Sequence, residues 1–258
     1  MITRVARLLQ MNILLQQSGQ RFMASLTVVQ QNLDVVRREI KSAANNRNVR
    51  LVAVGKYHPK EAIQECYEHG HRSFGENYVQ ELEEKAEALK GTCPEIQWHF
   101  IGQVQSNKIG KIAAVPNLYC VETLESEKHC ALFEKAASNR EHPLRVLVQV
   151  NTSAEYQKGG LSSAEAVSLA QYVCTQCPHL KLDGFMTIGS VENSGKVPNP
   201  DFNALAEIRR VFAQKVGAEE DSLELSMGMS GDMITAIDQG STSVRVGTAI
   251  FGARNYDK

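Results

Sequence analysis

The sequence has no surplus of either charge. Its 258 residues include 28 basic and 29 acidic side chains, for a formal net charge of −1. That balance excludes the basic footprint of a nucleic-acid-binding surface and offers no pull on a strongly anionic partner. No apolar run reaches the ~18 residues that a membrane-spanning helix needs. The six cysteines, Cys66, Cys93, Cys120, Cys130, Cys174 and Cys177, are too thinly spread for a disulfide framework and fit a reducing compartment. Only Cys174-Thr175-Gln176-Cys177 forms a close pair. It reads either as a redox or half-zinc pair, or as two small residues near a helix end stopped by Pro178; no second pair completes a metal site. No Pro-, Gly- or Ser-rich linker divides the chain, so one large domain is expected. Acidic residues are missing before Asp34, whereas Arg4, Arg7 and Arg21 stand among Leu, Ile, Val and Met. Residues 1–24 therefore read as a mitochondrial transit segment, or as an ordinary extension ahead of an internal start at Met23. The expected location is cytoplasmic, or mitochondrial if that segment is a targeting signal.

What is present is a regular alternation. Leu26 to Ala43 is a helix by its spacing, with Leu26, Val29, Leu33, Val36 and Ile40 on one face. Eight apolar runs follow and read as strands: Leu51–Lys56, Ser73–Asn77, Gln97–Gly102, Leu118–Glu122, Arg145–Asn151, Leu182–Gly189, Leu223–Met227 and Val244–Val246. Several lack clean alternation, as strands covered by helices on both faces do. Helical segments lie between them: one begins with Pro59 at its first helical position, has Glu61 in its first turn and ends before Gly70, and the others are Val79–Leu89, Ser126–Ala137, Ser163–Cys174, Phe202–Lys215 and Asp232–Gln239. This is an α/β chain, and its βα units point to a single TIM (β/α)8 barrel over residues 25–258 with an extra N-terminal helix. A doubly wound open sheet is the alternative, but the Gly-rich dinucleotide fingerprint is absent after the first strand. Ser190–Pro200 is the most loop-like segment and is expected to be a mobile overhang at the functional end.

Functional groups in such a barrel gather at the C-terminal ends of the strands. Lys56 ends the first run, after Leu51-Val52-Ala53-Val54, where burial disfavours the ammonium form. A neutral amine there can form a Schiff base with an aldehyde; a lysine so placed can equally be a phosphate or carboxylate ligand. Barrels of this type often hold phosphate in the turns after strands seven and eight. Here those turns are Ser226-Met227-Gly228-Met229-Ser230-Gly231-Asp232 and Arg245-Val246-Gly247-Thr248. Small residues let backbone N–H groups approach an anion, and Ser230 is expected to act both as helix cap and hydroxyl donor. Asp232 would repel phosphate unless it faces away. Arg245 shares a pleat face with Gly247 and can project into the mouth, or form a salt bridge.

Leu51-Val52-Ala53-Val54-Gly55-Lys56, Phe74-Gly75-Glu76-Asn77-Tyr78-Val79-Gln80-Glu81, Trp98-His99-Phe100-Ile101-Gly102, Gln105-Ser106-Asn107-Lys108, Gln149-Val150-Asn151-Thr152-Ser153, Met186-Thr187-Ile188-Gly189, Leu225-Ser226-Met227-Gly228-Met229-Ser230 and Val244 to Gly252 carry a resemblance. Together they resemble the pyridoxal phosphate homeostasis protein family (the YggS or PROSC family), from about Leu26 to Tyr256. The resemblance implies a fold-type III barrel like the N-terminal domain of alanine racemase. It implies pyridoxal 5′-phosphate (PLP) held as a covalent aldimine on Lys56, phosphate contacts near Ser230, Gly247 and Thr248, and Arg245 beside the pyridine nitrogen. An arginine there leaves that nitrogen neutral and weakens the ring as an electron sink. Asn77 is expected to line the same pocket. The implied role is to bind, buffer and deliver PLP without catalysis, with apo PLP-dependent enzymes as recipients. The expected state is a monomer, with a dimer as the alternative.

The chain departs from the family pattern in places. Gly55 stands where the family usually has Ser, and Gln103 and Val104 stand where His and Leu are common. Glu76, His99 and Lys108 are not assigned as general bases; His99 reads as a core histidine and Lys108 as a surface or rim cation. Racemases on this barrel add a β-rich domain that supplies a catalytic tyrosine, whereas here the Val244 to Gly252 motif is followed by Ala253 to Lys258. The rival expectation is a small racemase-like enzyme with a tyrosine from elsewhere in the chain.

Overall fold

The computed structural model describes residues 26–153, 155 and 159–253. The expected N-terminal extension at residues 1–24 lies outside the described residues. Helix α1 (Val28–Ala44) begins with a capping box, in which Thr27 and Gln30 satisfy each other's backbone N–H groups. Its buried stripe is Leu33, Val36, Ile40 and Ala44. The expected periodicity is thus observed, starting two residues later than Leu26.

Eight parallel strands close into a barrel in chain order. They are β1 (Arg50–Val54), β2 (Ser73–Glu76), β3 (Gln97–Phe100), β4 (Leu118–Leu124), β5 (Leu144–Gln149), β6 (Leu180–Met186), β7 (Glu224–Ser226) and β8 (Ser243–Val246). Closure is made by β1 on β8, with Val52 opposite Arg245 and Ala53 opposite Val246. The intervening helices are α2 (Lys60–Glu68), α3 (Val79–Leu89), α4 (Ile109–Ala113), α5 (Glu127–Ala137), α6 (Ser163–Gln176), α7 (Pro200–Val216), α8 (Met233–Asp238) and α9 (Thr248–Phe251). The extra helix α1 packs against α2, α8 and α9, over the seam where the barrel closes.

The strands are buried on both faces, as their unbroken apolar runs require. Outward side chains such as Phe74, Trp98, Val146, Phe185, Leu225 and Val244 join the helices in one continuous core. Burial of this layer supplies most of the driving force for folding.

Several expectations shift. Several strands stop short of the expected ends, so Lys56 and Asn77 lie just past β1 and β2 rather than within them. Pro59 occupies the cap position of α2, one residue before the helix. Helices α4 and α9 were not expected. Cys177 caps α6, and Cys174 is exposed, which is the helix-end reading of that pair. Among the described residues no cluster of His, Cys, Asp or Glu could hold a metal. The Ser190–Pro200 overhang is stitched down: Asp201 accepts from Ser190 N at 2.7 Å and from Asn193 Nδ2 at 3.1 Å. Asn199 N donates to Gln239 at 2.7 Å.

Candidate functional site

All six residues singled out in the sequence, Lys56, Asn77, Ser230, Arg245, Gly247 and Thr248, line one cavity of about 310 Å³ at the C-terminal mouth of the barrel. Val54, Ile101, Met186, Ile188 and Met229 give it apolar walls, and Gly231 completes the turn after β7. Among the described residues, its only ionisable lining side chains are Lys56 and Arg245.

Lys56 is half-buried at the mouth, so the expected full desolvation is not reached. The chain around it is tied down from below. Lys85, buried on α3, donates to Gly55 O at 2.9 Å, to Glu76 Oε1 at 2.7 Å and to Glu81 Oε2 at 2.8 Å. Glu81 also accepts from Tyr57 N at 2.9 Å. The residues on either side of Lys56 thus hang from one buried cluster. Tyr57 is held at φ 65°, a left-handed conformation uncommon for a side chain of its size. A Cβ at Gly55 would overlap Ile63 Cδ1 and lie 2.8 Å from Glu76 Oε1, so the ends of those two side chains would have to shift. Burial pushes the Glu76 carboxyl up to about 7, against the pull of the Lys85 charge and hydrogen bond.

Asn77 sits where its backbone crosses Gly102, whose missing side chain makes that approach feasible. Its Oδ1 is buried and has no hydrogen-bond partner, which is uncommon for a buried acceptor. Ser230 is not the helix cap that was expected. Asp232 takes the cap position of α8 and folds its Oδ1 back onto Met229 N at 2.7 Å. Asp232 does not line the cavity, and its Oδ1 is taken up by the backbone of the turn. Ser230 Oγ is left facing α9, where it accepts from Ala249 N at 3.4 Å. Gly247 lets β8 pass close to β1, with Val54 O 3.2 Å from where a Cβ would sit.

Arg245 is buried and clamped. Nη1 donates to Ser226 Oγ at 2.7 Å and Nη2 donates to Thr187 O at 2.8 Å. Ser226 Oγ donates onward to Glu122 Oε2 at 2.6 Å, and Glu122 Oε1 meets His99 Nδ1 at 2.7 Å. Burial pulls the guanidinium below its ordinary value, and Glu122 and Asp232 oppose that pull. His99 is a core histidine with one nitrogen bonded and the other, Nε2, buried without a partner. Lys108 lines a second cavity of about 480 Å³ that shares the Asn77 wall.

Sequence reasoning missed Glu122, Ser226 and Lys85. Their signals were present: Glu122 and Ser226 are polar residues inside otherwise apolar strands, and Lys85 falls on the Leu82–Ala86–Leu89 stripe of α3. A charged residue on a buried stripe marks a buried partner.

A closed βα barrel with a lysine beyond β1, an arginine on β8 and hydroxyl-bearing turns at β7 and β8 is the class of the alanine racemase N-terminal domain. The family model described as "Alanine racemase, N-terminal domain" matches residues 25–255. A solved alanine racemase from Corynebacterium glutamicum shares the fold, with TM-score 0.65 at 17% identity, over 88% of this chain and 62% of that one. The Caenorhabditis elegans pyridoxal phosphate homeostasis protein is 51% identical over 240 residues, spanning 90% of this chain and 98% of that protein. The chain belongs to the pyridoxal phosphate homeostasis protein family. The PipY structure of Synechococcus elongatus with PLP bound superposes with TM-score 0.71 at 30% identity, over 87% of this chain and 100% of that one.

Proposed function

We propose that the chain binds PLP in the 310 Å³ cavity and serves as a carrier or buffer of the cofactor. The convergence of Lys56, Arg245 and the Ser230 and Gly247–Thr248 turns on one cavity carries this reading. PLP brings an aldehyde that a lysine amine captures reversibly, a phosphate and a ring nitrogen. Lys56 would hold the aldehyde carbon covalently. Ser230, Gly247 and Thr248 would hold the phosphate with hydroxyl and backbone donors, the arrangement this barrel offers after its last two strands. Arg245 would face the ring nitrogen as a donor that keeps its own proton, and the buried Asn77 Oδ1 would accept from a ring substituent. The relatives' names and the PLP-bound neighbour support this choice of ligand.

What the walls offer supports a non-catalytic role. Two-base chemistry needs proton carriers on both faces of a substrate. Of the ionisable groups in the described walls, Arg245 holds its proton and Lys56 would be the tether. The rival racemase-like reading would draw on Tyr57 or Tyr78, which flank Lys56 and Asn77. Their hydroxyls meet at 2.5 Å on the exposed rim, and neither lines the cavity.

Purified protein given excess PLP and desalted should be yellow. Borohydride should fix one cofactor mass on the Lys56 peptide, and Lys56→Ala should retain little colour. A wild type that takes up no PLP refutes the reading. Rapid α-proton exchange of an amino acid in D2O would favour the enzyme over the carrier. Faster movement of PLP to an apo-enzyme than its escape into solution would favour the carrier.

A further inference from the structure

A carboxylate inside a barrel is costly. Removing an ion from water costs several kcal/mol even after relaxation, so a buried one persists only where it is paired and hydrogen-bonded. Glu122 is 1% exposed on the inner face of β4. It touches no cavity wall, yet it stands two hydrogen bonds from Arg245, which does.

The donor count along this chain is complete in only one direction. A serine hydroxyl has one proton. Ser226 Oγ accepts a hydrogen bond from Arg245 Nη1, so its own hydroxyl donates to Glu122 Oε2. The other Glu122 oxygen, Oε1, meets His99 Nδ1 at 2.7 Å, and His99 Nε2 is buried without a partner. Burial raises the Glu122 carboxyl, but the His99 bond and charge, the Arg245 charge and the Ser226 bond more than offset it and hold it below the ordinary carboxylate range. Glu122 is therefore an anion.

The charged and titratable groups around Arg245 are then Glu122 from β4, His99 behind it on β3, Asp232 after β7 and Lys56 across the cavity. Asp232 is already bonded to Met229 N and Ser194 Oγ. Of the two acids, only Glu122 reaches the guanidinium through a hydrogen-bonded bridge.

We propose that Glu122, acting through Ser226, positions Arg245 and sets the charge that faces a bound pyridine ring. This rests on the PLP reading of the cavity. With Glu122 ionised, the floor of the site is a compensated pair. Without it, an unbalanced guanidinium faces the ligand and loses its anchor on the Ser226 side. Glu122 is a positioning residue, since it touches no ligand itself.

The test compares PLP-loaded wild type, Glu122→Gln, Glu122→Asp and Ser226→Ala. The visible absorbance is titrated against pH, a PLP binding isotherm is measured, and circular dichroism checks the fold. Removing a negative charge disfavours the protonated form of a nearby group, so the midpoint of Glu122→Gln should fall by about one pH unit. Its affinity should drop about tenfold or more. Glu122→Asp keeps the charge and should keep the midpoint close to wild type. Ser226→Ala keeps both charges but breaks the bridge, and should move the midpoint the same way by less.

A folded Glu122→Gln with the wild-type midpoint and affinity overturns the inference. So does a variant that loses thermal stability alone. If Glu122→Gln does not fold, Ser226→Ala decides: a shifted midpoint supports the relay and an unshifted one overturns it. A wild type that takes up no PLP sinks this inference and the proposed function together. A wild type that binds PLP, with unshifted variants, sinks only the relay.

Discussion

Replacing Gly55 with serine, the residue that the family resemblance leads one to expect there, should destabilise this chain. A Cβ at that place would overlap Ile63 Cδ1 and come within 2.8 Å of Glu76 Oε1. Both atoms end flexible side chains, but neither has room to retreat. Ile63 and Glu76 are 0% exposed, and Lys85 holds Glu76 Oε1 at 2.7 Å. Forcing extra atoms into a packed site costs about 1–3 kcal/mol. Glu76 Oε2 has no partner, so the serine hydroxyl could donate to it and return up to about 1 kcal/mol. With that bond formed in full, the net loss is up to about 2 kcal/mol, and up to roughly 8 °C in Tm for a chain of this size. Alanine separates the two effects, since it brings the clash without the hydroxyl and should cost more than serine. Thermal melts of Gly55→Ala, Ile63→Val and the double variant complete the cycle. Ile63→Val alone should cost about 0.5–1.5 kcal/mol. In the Gly55→Ala background it removes the overlapping methyl and should cost nothing or restore stability, a coupling of at least about 1 kcal/mol. Additivity within about 0.5 kcal/mol would refute the steric account of Gly55.

Lys85→Met leaves Glu76 buried without its cation and should cost about 3–5 kcal/mol in a urea melt. Glu76 is already up to about 7 in the folded protein and protonates more readily still without the ammonium, so the deficit should stay level below about pH 7 and grow above it; adding Glu76→Gln should remove that growth, and a deficit independent of pH up to pH 9 would count against the pairing. His71 is a second pH sensor. Burial holds it down to about 4 in the folded protein, with Arg37 adding to the effect, against an ordinary value of 6.5. The unfolded chain therefore binds the extra proton first, so the His71 contribution is intact above pH 6.5 and is lost as pH falls towards 4, by about 3 kcal/mol in all. Urea melts between pH 4 and pH 7 should show a shallower acid loss for His71→Gln than for wild type; parallel curves would contradict the assignment.

The strands were legible because a barrel strand covered on both faces needs an apolar run, and loops between such runs cannot hide their Gly and Pro. Helices α4 and α9 escaped because five and four residues make too little periodicity to read. The cavity residues were legible through position: the place after β1 and the turns after β7 and β8 are where this architecture puts function. The supports were not. Whether Glu122 points in or out depends on the register of β4, which shifts against both neighbours. Lys85 looked like one more lysine on a charged helix until α3 turned its face to Gly55 O. Ser230 was misread as a cap because the sequence cannot show that Asp232 bends back onto its own turn.

The two missed clusters share a cause that lies in how the barrel divides its burial. A barrel of this kind is ordinarily filled by layers of branched apolar side chains. Here the large apolar cluster lies between sheet and helices, and the separate cluster that includes Cys120, Leu147 and Met186 is small. Val52 and Val54 of β1 add apolar side chains to the interior, but a polar column runs beside them. Arg50 pairs with Glu224 at 2.5 Å and Arg145 pairs with Asp183. Both guanidinium groups lie over the Tyr119 ring, at 5.2 and 4.8 Å. Tyr119 contacts His99 at 5.1 Å, and from there the bonds run through Glu122 and Ser226 to Arg245. Buried ion pairs contribute little stability compared with apolar side chains of the same volume. The outer layer must therefore carry the fold, and the interior column is free to fix the orientation of one arginine at the mouth. Apolar replacements along that column should leave the barrel standing while altering what its mouth can hold. Truncation of the outer layer should do the reverse.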